Sequence, residues 1–480
     1  MKYIIGMAFV GLVACSEQIS TDPSLSLSFS TDTLRFDTVF SGIESITAQV
    51  RVRNDNKKAI LLDQIALAGG KTSQFRLNVD GMSNADSKVQ NITIPAKDSI
   101  FIFVEVTARQ TNQSTPLVIR DSIVFAYNGK VQQVQLEAYG QDMEILRDRF
   151  IANDTTLTAD LPYLVYGALV IDSAKTLTLQ PGCRLFFHRG AQLIVGGNLV
   201  VNGTLEQPVT MKGDRLDNVF VNIPYDYVDG QWGGILLFYA KAHHQLSYLE
   251  INSGYSGIIV MGTRDEQPTL ELQNCRIHNF SMYGLAAENA NVTSVNTEIS
   301  NCAGYCLYLA GGKHTFIHNT IANYFSKTTI AIHSATREDQ VSVCINDVQK
   351  TAPMYSEFVN CIISGTRQEE FGLYTQFQEQ YLGSFHHNLI QSGSIDWPQF
   401  SDNQYMQPSD YMLEEGNKLF RNISYTGEDY YDFRLDSASL ARDWADVSTA
   451  EKYPLDRLGN DRMADGKPDL GAYEYVNGME

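Results

Sequence analysis

"LTLQPGCRLFFHRGAQLIVGGNLVVNGTLEQPVTMKG", residues 177–213, is built almost wholly from aliphatic and β-branched residues cut by glycine. Pro181-Gly182, Gly190, Gly196-Gly197 and Gly203 divide it into apolar runs. Each run is about five residues long, too short for a helix and right for a strand. Turn residues at every break leave no room for helices between the runs. The stretch therefore reads as a succession of very short strands.

Downstream the same texture becomes periodic. Isoleucines recur in similar contexts at Ile251 ("LEINSG"), Ile277 ("CRIHNF"), Ile299 ("TEISNC"), Ile321 ("NTIANY"), Ile363 ("CIISGT") and Ile390 ("NLIQSG"). Their steps are 26, 22, 22, 42 and 27 residues. Four steps fit one unit of about 22 with small insertions, and the step of 42 reads as two units; such a period marks a solenoid. The recurring leucine frame of leucine-rich repeats is absent, which leaves a parallel β-helix whose rungs each add strands to the rung below. Two residues after three successive isoleucines stand Asn279, Asn301 and Asn323. Asparagine accepts left-handed backbone, so a turn ladder of stacked amides is expected there.

With "QWGGILL" (231–237) and a closing region of "DFRLDSASLARDWAD" (432–446), "DRLGNDR" (456–462) and "PDLGAYEY" (468–475), this pattern resembles the right-handed, pectate-lyase-like β-helix family of exported bacterial proteins. The resemblance spans about residues 150–476. It implies fold more than activity, because the fold hosts lyases, hydrolases, adhesins and structural proteins. Asp456, Arg462, Asp469 and Glu474 are expected to form ion pairs that seal the open end of the solenoid.

Ahead of the solenoid, residues 25–145 read as an antiparallel sandwich of about seven strands. "TAQVRVRN" alternates Val50 and Val52 with Arg51 and Arg53, and Asn128-Gly129 is a type I′ hairpin turn. "LSFSTDTLRFDTVFSG" followed by "IPAKDSIFIFVEV" resembles the immunoglobulin-like modules near the N-terminus of many exported bacterial lipoproteins. The expected organisation is a leader (1–14), a tether (15–24), the sandwich (25–145), the β-helix (146–430) and a closing segment (431–480).

The leader has Lys2, an apolar run from Ile4 to Val13, and "LVAC" ending at Cys15. The run is far shorter than the roughly 20 residues of a membrane helix. The ending resembles a lipobox, which implies cleavage before Cys15 and lipidation of its thiol. The expected address is the outer membrane of a Gram-negative bacterium, on its periplasmic or outer side. Cleavage removes Lys2 and no acid, taking the net charge from −19 one unit lower. So acidic a chain repels nucleic acid and anionic lipid. Six further cysteines show no metal-site spacing. Cys302 and Cys306 are either a disulfide or two small core residues.

Chemistry is sparse. Alternation places residues beside the inward isoleucines on an outer face. Stacked rungs then give the columns Glu250–Arg276–Glu298 and Asn252–His278–Ser300, with Tyr248, Asn274, Asn296 and His318 in a third. An exposed ion ladder with Tyr248, Arg276, His278, Glu298 and His318 is the candidate glycan-binding face; its bland reading is solvated ion pairing. A lyase would need His278 or His318 as base and Arg276 or Ca²⁺ to neutralise a uronate. No carboxylate cluster for Ca²⁺ lies on these rungs. His243-His244 and His386-His387 read as exposed edge pairs. The insertion 213–230 carries Asp214, Asp217, Asp226 and Asp229, read as a solvated loop rather than a cation site.

The reading that results is an all-β, lipid-anchored envelope protein that binds a polysaccharide or an envelope protein without catalysis or cofactor. The alternatives are a uronate lyase or glycoside hydrolase, and a structural or assembly lipoprotein. Metabolic labelling with an alkyne fatty acid should mark the wild type, and Cys15→Ala should move the protein to the soluble fraction or leave it unprocessed. An unlabelled wild type would refute the anchor.

Overall fold

The computed structural model describes residues 18–478, apart from 84–87, 221–222, 326–339, 349–352, 377, 408–411, 414–415, 418 and 425–429. The leader and Cys15 lie outside the described residues. The chain divides into two units, Met1–Asp142 and Met143–Glu480.

The first unit is a two-sheet sandwich. Six strands form one sheet: Ile19–Ser20, Thr33–Phe40, Ala59–Leu67, Lys88–Ile94, Leu117–Tyr127 and Lys130–Gln141. Five form the other: Ser28–Phe29, Ala48–Arg53, Phe75–Val79, Met82–Ser83 and Ser99–Val106. Val50 and Val52 are fully buried and pack with Ile123 and Phe125 of the opposite sheet, while Arg51 and Arg53 face solvent. Asn128 and Gly129 both adopt positive φ (49° and 72°) in the hairpin between Leu117–Tyr127 and Lys130–Gln141, as a type I′ turn requires. The sheets are not purely antiparallel. Thr33–Phe40 runs parallel to Lys130–Gln141, and Ile19–Ser20 parallel to Ala59–Leu67.

The second unit is a parallel β-helix with three faces. A ladder face carries the isoleucines, in strands such as Leu249–Asn252, Arg276–Phe280, Glu298–Cys302 and Thr320–Asn323. A second face follows it in each rung, with Ile258–Met261, Leu285–Glu288, Leu307–Ala310, Val343–Asn346 and Phe371–Tyr374. A third closes the rung, including Thr269–Gln273, Asn291–Val295, Gly312–Ile317 and Met354–Val359. Pairing between rungs is parallel on all three faces. Ile251, Ile277, Ile299, Ile321, Ile363 and Ile390 pair in succession, and each is fully buried. Ile321 pairs directly with Ile363, so the step of 42 is one rung with insertions rather than two rungs. The opening stretch explains its glycines at Gly197, where a Cβ would stand 2.0 Å from the Lys175 carbonyl of the preceding rung.

The corners carry a register device of their own. Entering the ladder face, Tyr248, Asn274, Asn296, His318, Asn360 and His387 all adopt left-handed φ between 46° and 56°. This column, expected on a flat outer face, is a corner. One residue further on, backbone amides donate upward: Cys275 N to Thr297 Oγ1, Thr297 N to Asn319 Oδ1, and Cys361 N to Asn388 Oδ1, at 3.3, 3.3 and 2.8 Å. At the other end of the ladder strands, Asn279 and Asn301 are left-handed as expected, but Asn323 is not. Nor do these amides stack on each other. Asn301 Oδ1 accepts from Tyr324 N, and Asn323 holds the Cys302 backbone through both N and O. Cys302 and Cys306 are buried, unbridged thiols.

Ser300, expected outside, is fully buried with its hydroxyl on Glu298. The exposed comparison for a core substitution is therefore Thr293 on the third face. Ile299→Ala should cost about 2–5 kcal/mol in chemical denaturation, against about 1 kcal/mol or less for Thr293→Ala. Equal losses would remove Ile299 from the core.

Candidate functional site

The ladder face points Glu250, Arg276 and Glu298 outward in the expected register. They are not an exposed ladder, because the chain returns over them. After the last rung, Phe420–Asn422 pairs with Asp432–Leu435, and Phe433, Leu435, Leu470, Ala472 and Tyr473 bury against Ala322, Ile362 and Leu389 of the ladder face. Apolar outward residues on these later rungs are what the returning segment covers. Backbone bonds fasten it: Gly471 N to Asn360 O at 2.8 Å, Ala472 N to Thr320 Oγ1 at 2.9 Å, and Asp446 N to Asn360 Oδ1 at 2.7 Å. The segment read as an end seal thus lies along the flank of the helix. Arg462, fully buried, pairs with Glu474 at 3.3 Å and donates to Asn296 Oδ1 at 3.0 Å, while Asp456 and Asp469 accept backbone amides of Leu458, Asn460 and Tyr475.

This cover redefines every candidate residue. Glu298 is 1 % exposed and accepts from Arg276 Nε at 3.1 Å, Ser300 Oγ at 2.8 Å and the Tyr473 hydroxyl. Burial pushes its carboxyl up, but Arg276 and Tyr473 outweigh this and hold it at about 2. Glu250 pairs with Arg457 at 2.9 Å rather than with Arg276. His278 and His318 are buried; burial, followed by Arg276 in one case and Arg462 in the other, pushes both well below the usual histidine range. His318 Nε2 is bonded to Asn360 Nδ2. Tyr248 sits at its corner, outside the cavity described next. Of the paired histidines, His244 is buried and pushed down to about 4 by burial, and His386 is half-buried, so neither pair is simply exposed.

Where the returning segment stands off the ladder face, it leaves a cavity of about 750 Å³. Four arginines reach it: Arg276 from the ladder, and Arg421, Arg434 and Arg457 from the returning segment. Arg434 is clamped on Asp432 at 2.5 Å. Arg421 has no ion-pair partner among the described residues. Tyr430 and Tyr473 line the cavity, and Tyr430 stacks on Tyr227 with ring centres 4.6 Å apart and planes within 10°. Sequence reasoning found Arg276 and Glu298 and missed the rest. Their signal was the arginine-rich closing segment, whose place depends on a long-range return.

The acidic insertion does not converge. Asp214 pairs with His188, Asp217 with Arg215, Asp226 with Lys212, and Asp229 bonds Ser281. Among the described residues no group of three or more His, Cys, Asp or Glu is placed to hold a metal ion.

Residues 233–402 match the family model of the right-handed beta helix region. With the three parallel faces, this makes the chain an all-β protein built on a right-handed parallel β-helix. No curated protein matches it. Among solved structures it is similar to a PapD-like domain of human CEP192, at 12 % identity and a TM-score of 0.18, over 29 % of this chain and all of that one. It is also similar to a family 123 glycoside hydrolase from Clostridium perfringens, at 8 % identity and a TM-score of 0.19, over 27 % of this chain and 31 % of that one. A third is the Vibrio cholerae VesB protease, at 11 % identity and 0.17, over 24 % and 31 %. The chain thus spans about a third of the length of the latter two.

The pairing of Glu298 has a consequence for acid stability. Unfolded, this carboxyl takes its proton near 4.5; folded, near 2. Between those values the unfolded state binds more protons, so stability is present above pH 4.5 and falls as pH drops toward 2. The loss should approach about 3 kcal/mol for this group. Glu298→Gln should flatten that part of the stability–pH curve measured by denaturation. An unchanged slope would remove Glu298 as its source.

Proposed function

We propose that this chain is a lipid-anchored envelope protein that holds an acidic glycan, of uronate type, in the arginine cavity without cutting it. The observation that carries the reading is the convergence of Arg276, Arg421, Arg434 and Arg457 beside a tyrosine wall, in a chain of net charge −19. Guanidinium forks match carboxylates in pairs, and stay charged at any physiological pH. Arg276, Arg434 and Arg457 are already engaged by acids, which fixes their side chains; Arg421 is the group left for a ligand carboxylate. A concave site with convergent polar groups is the usual form of a small-ligand pocket.

The lyase alternative needs a base of matched pKa within reach of the sugar. Glu298, held at about 2, is too weak a base, and burial, with Glu298 beside it, pushes the Tyr473 hydroxyl far above its ordinary value. His278 and His318 lie beneath the cover. The cavity supplies neutralising cations, and Asp432, the other carboxylate in its described lining, is engaged by Arg434. Anchoring in the outer membrane rests on Cys15 and its lipobox resemblance, and an envelope protein in place of the glycan remains the second kind of partner.

Calorimetric titration with oligogalacturonate should give binding that weakens as salt rises. Arg421→Ala should weaken it about tenfold, the scale of one charge-assisted hydrogen-bond pair. Equal affinity for a neutral oligosaccharide, or no effect of Arg421→Ala, would overturn the assignment. Release of unsaturated ends would replace it with lyase activity.

A further inference from the structure

On the second face, away from the arginine cavity, tyrosines gather on the outside of two successive rungs, and one more stands two rungs further on. Tyr283 and Tyr305 occupy the turns that enter Leu285–Glu288 and Leu307–Ala310. These strands pair Leu285 with Leu307, which puts the two tyrosines in the same register one rung apart. Their rings are parallel within 5°, with centres 6.2 Å apart. Tyr308, pointing outward from the strand, sits 5.9 Å from Tyr283 and 5.7 Å from Tyr305. Tyr374 extends the group toward later rungs and is 49 % exposed.

The sheet beneath is shaped to carry these rings. In the outward column through Tyr308, its neighbours are Ala286 before it and Cys344 and Gly372 after it. Ala286 and Cys344 point outward yet are only 2 % and 3 % exposed, so larger side chains lie over them. At Gly372 a Cβ would stand 2.8 Å from the Tyr374 ring, so the glycine lets that ring rest against the strand. One hydroxyl is tied down: Tyr308 accepts from Asn346 Nδ2 at 3.4 Å. Rings fixed before a ligand arrives lose little entropy when it binds.

We propose that this row is a stacking platform for a neutral polysaccharide, a second binding surface distinct from the arginine cavity. An aromatic ring has a negative face. The axial C–H bonds on one side of a pyranose present the complementary positive surface, while its equatorial hydroxyls reach polar groups at the rim, here Asn346 and the phenols. The row runs along the solenoid axis, which suits a linear repeating chain. The carboxylate that acts on both Tyr283 and Tyr308 is Glu288. Its charge disfavours uronates and so separates this surface from the cavity.

Affinity electrophoresis of the full chain through native gels containing hydroxyethylcellulose, soluble starch, galactomannan or arabinoxylan tests this. Retardation is expected on at least one polymer. Tyr305→Ala with Tyr308→Ala should raise the apparent dissociation constant about tenfold or more, two stacking contacts being lost. Arg421→Ala should leave it unchanged, which separates this surface from the acidic-glycan reading. If the double variant melts early, Tyr374→Ala supplies the same test at an exposed ring. Failure on all four polymers, retardation indifferent to the tyrosines, or a self-associated dimer that the tyrosine variants dissolve would each overturn the proposal.

Discussion

The structure depends on keeping one rung in register with the next. Parallel pairing sets the rungs about 4.8 Å apart and brings like positions together on every turn. A slip of one residue would turn the isoleucines outward and the charges inward. The corner entering the ladder face resists such a slip. There a left-handed residue turns the chain, and the amide that follows donates to a side chain of the next rung, at Thr297, Asn319 or Asn388. Those side chains are themselves buried, so a shifted rung would strand both partners without hydrogen bonds.

The same periodicity makes a problem of the ladder face's outside. Toward the later rungs its outward positions include Ala322, Ile362 and Leu389, an apolar strip that the hydrophobic effect favours covering. The returning segment resolves this with Phe433, Leu435, Leu470 and Ala472. Toward the earlier rungs the outward residues are Glu250, Arg276 and Glu298, and the returning segment answers with Arg457 and Tyr473. Each buried charge is therefore met by a partner, as a buried ionised group requires. The cavity lies at the junction between the apolar and charged halves of this cover.

Two surfaces with opposite character result. The cavity gathers cations next to a tyrosine wall, while the second face gathers phenol rings beside a carboxylate. They lie on different faces of one rigid solenoid. A β-helix suits such a division, since each face repeats along the axis and can be specialised independently of the others.

Much of this was legible in the chain itself. Local alternation and glycine spacing marked the short strands, and the recurrence of isoleucine set the inward column, all six of which stack. The valine–arginine alternation and the Asn128-Gly129 hairpin were equally readable. These features are local, so neighbouring residues suffice to specify them. The step of 42 was misread because spacing cannot distinguish a second rung from a looped insertion; only the pairing of Ile321 with Ile363 does. The burial of His278, Glu298 and His318 was invisible for a deeper reason. It is imposed by residues more than a hundred positions later, and alternation reports which side of a strand a residue faces, never what comes back to cover it. Where the charges lie along the rungs was decided by the sequence. Whether they meet water, an ion pair or a ligand was decided by the tertiary return of residues 419–475, because desolvation depends on all the chain that packs nearby.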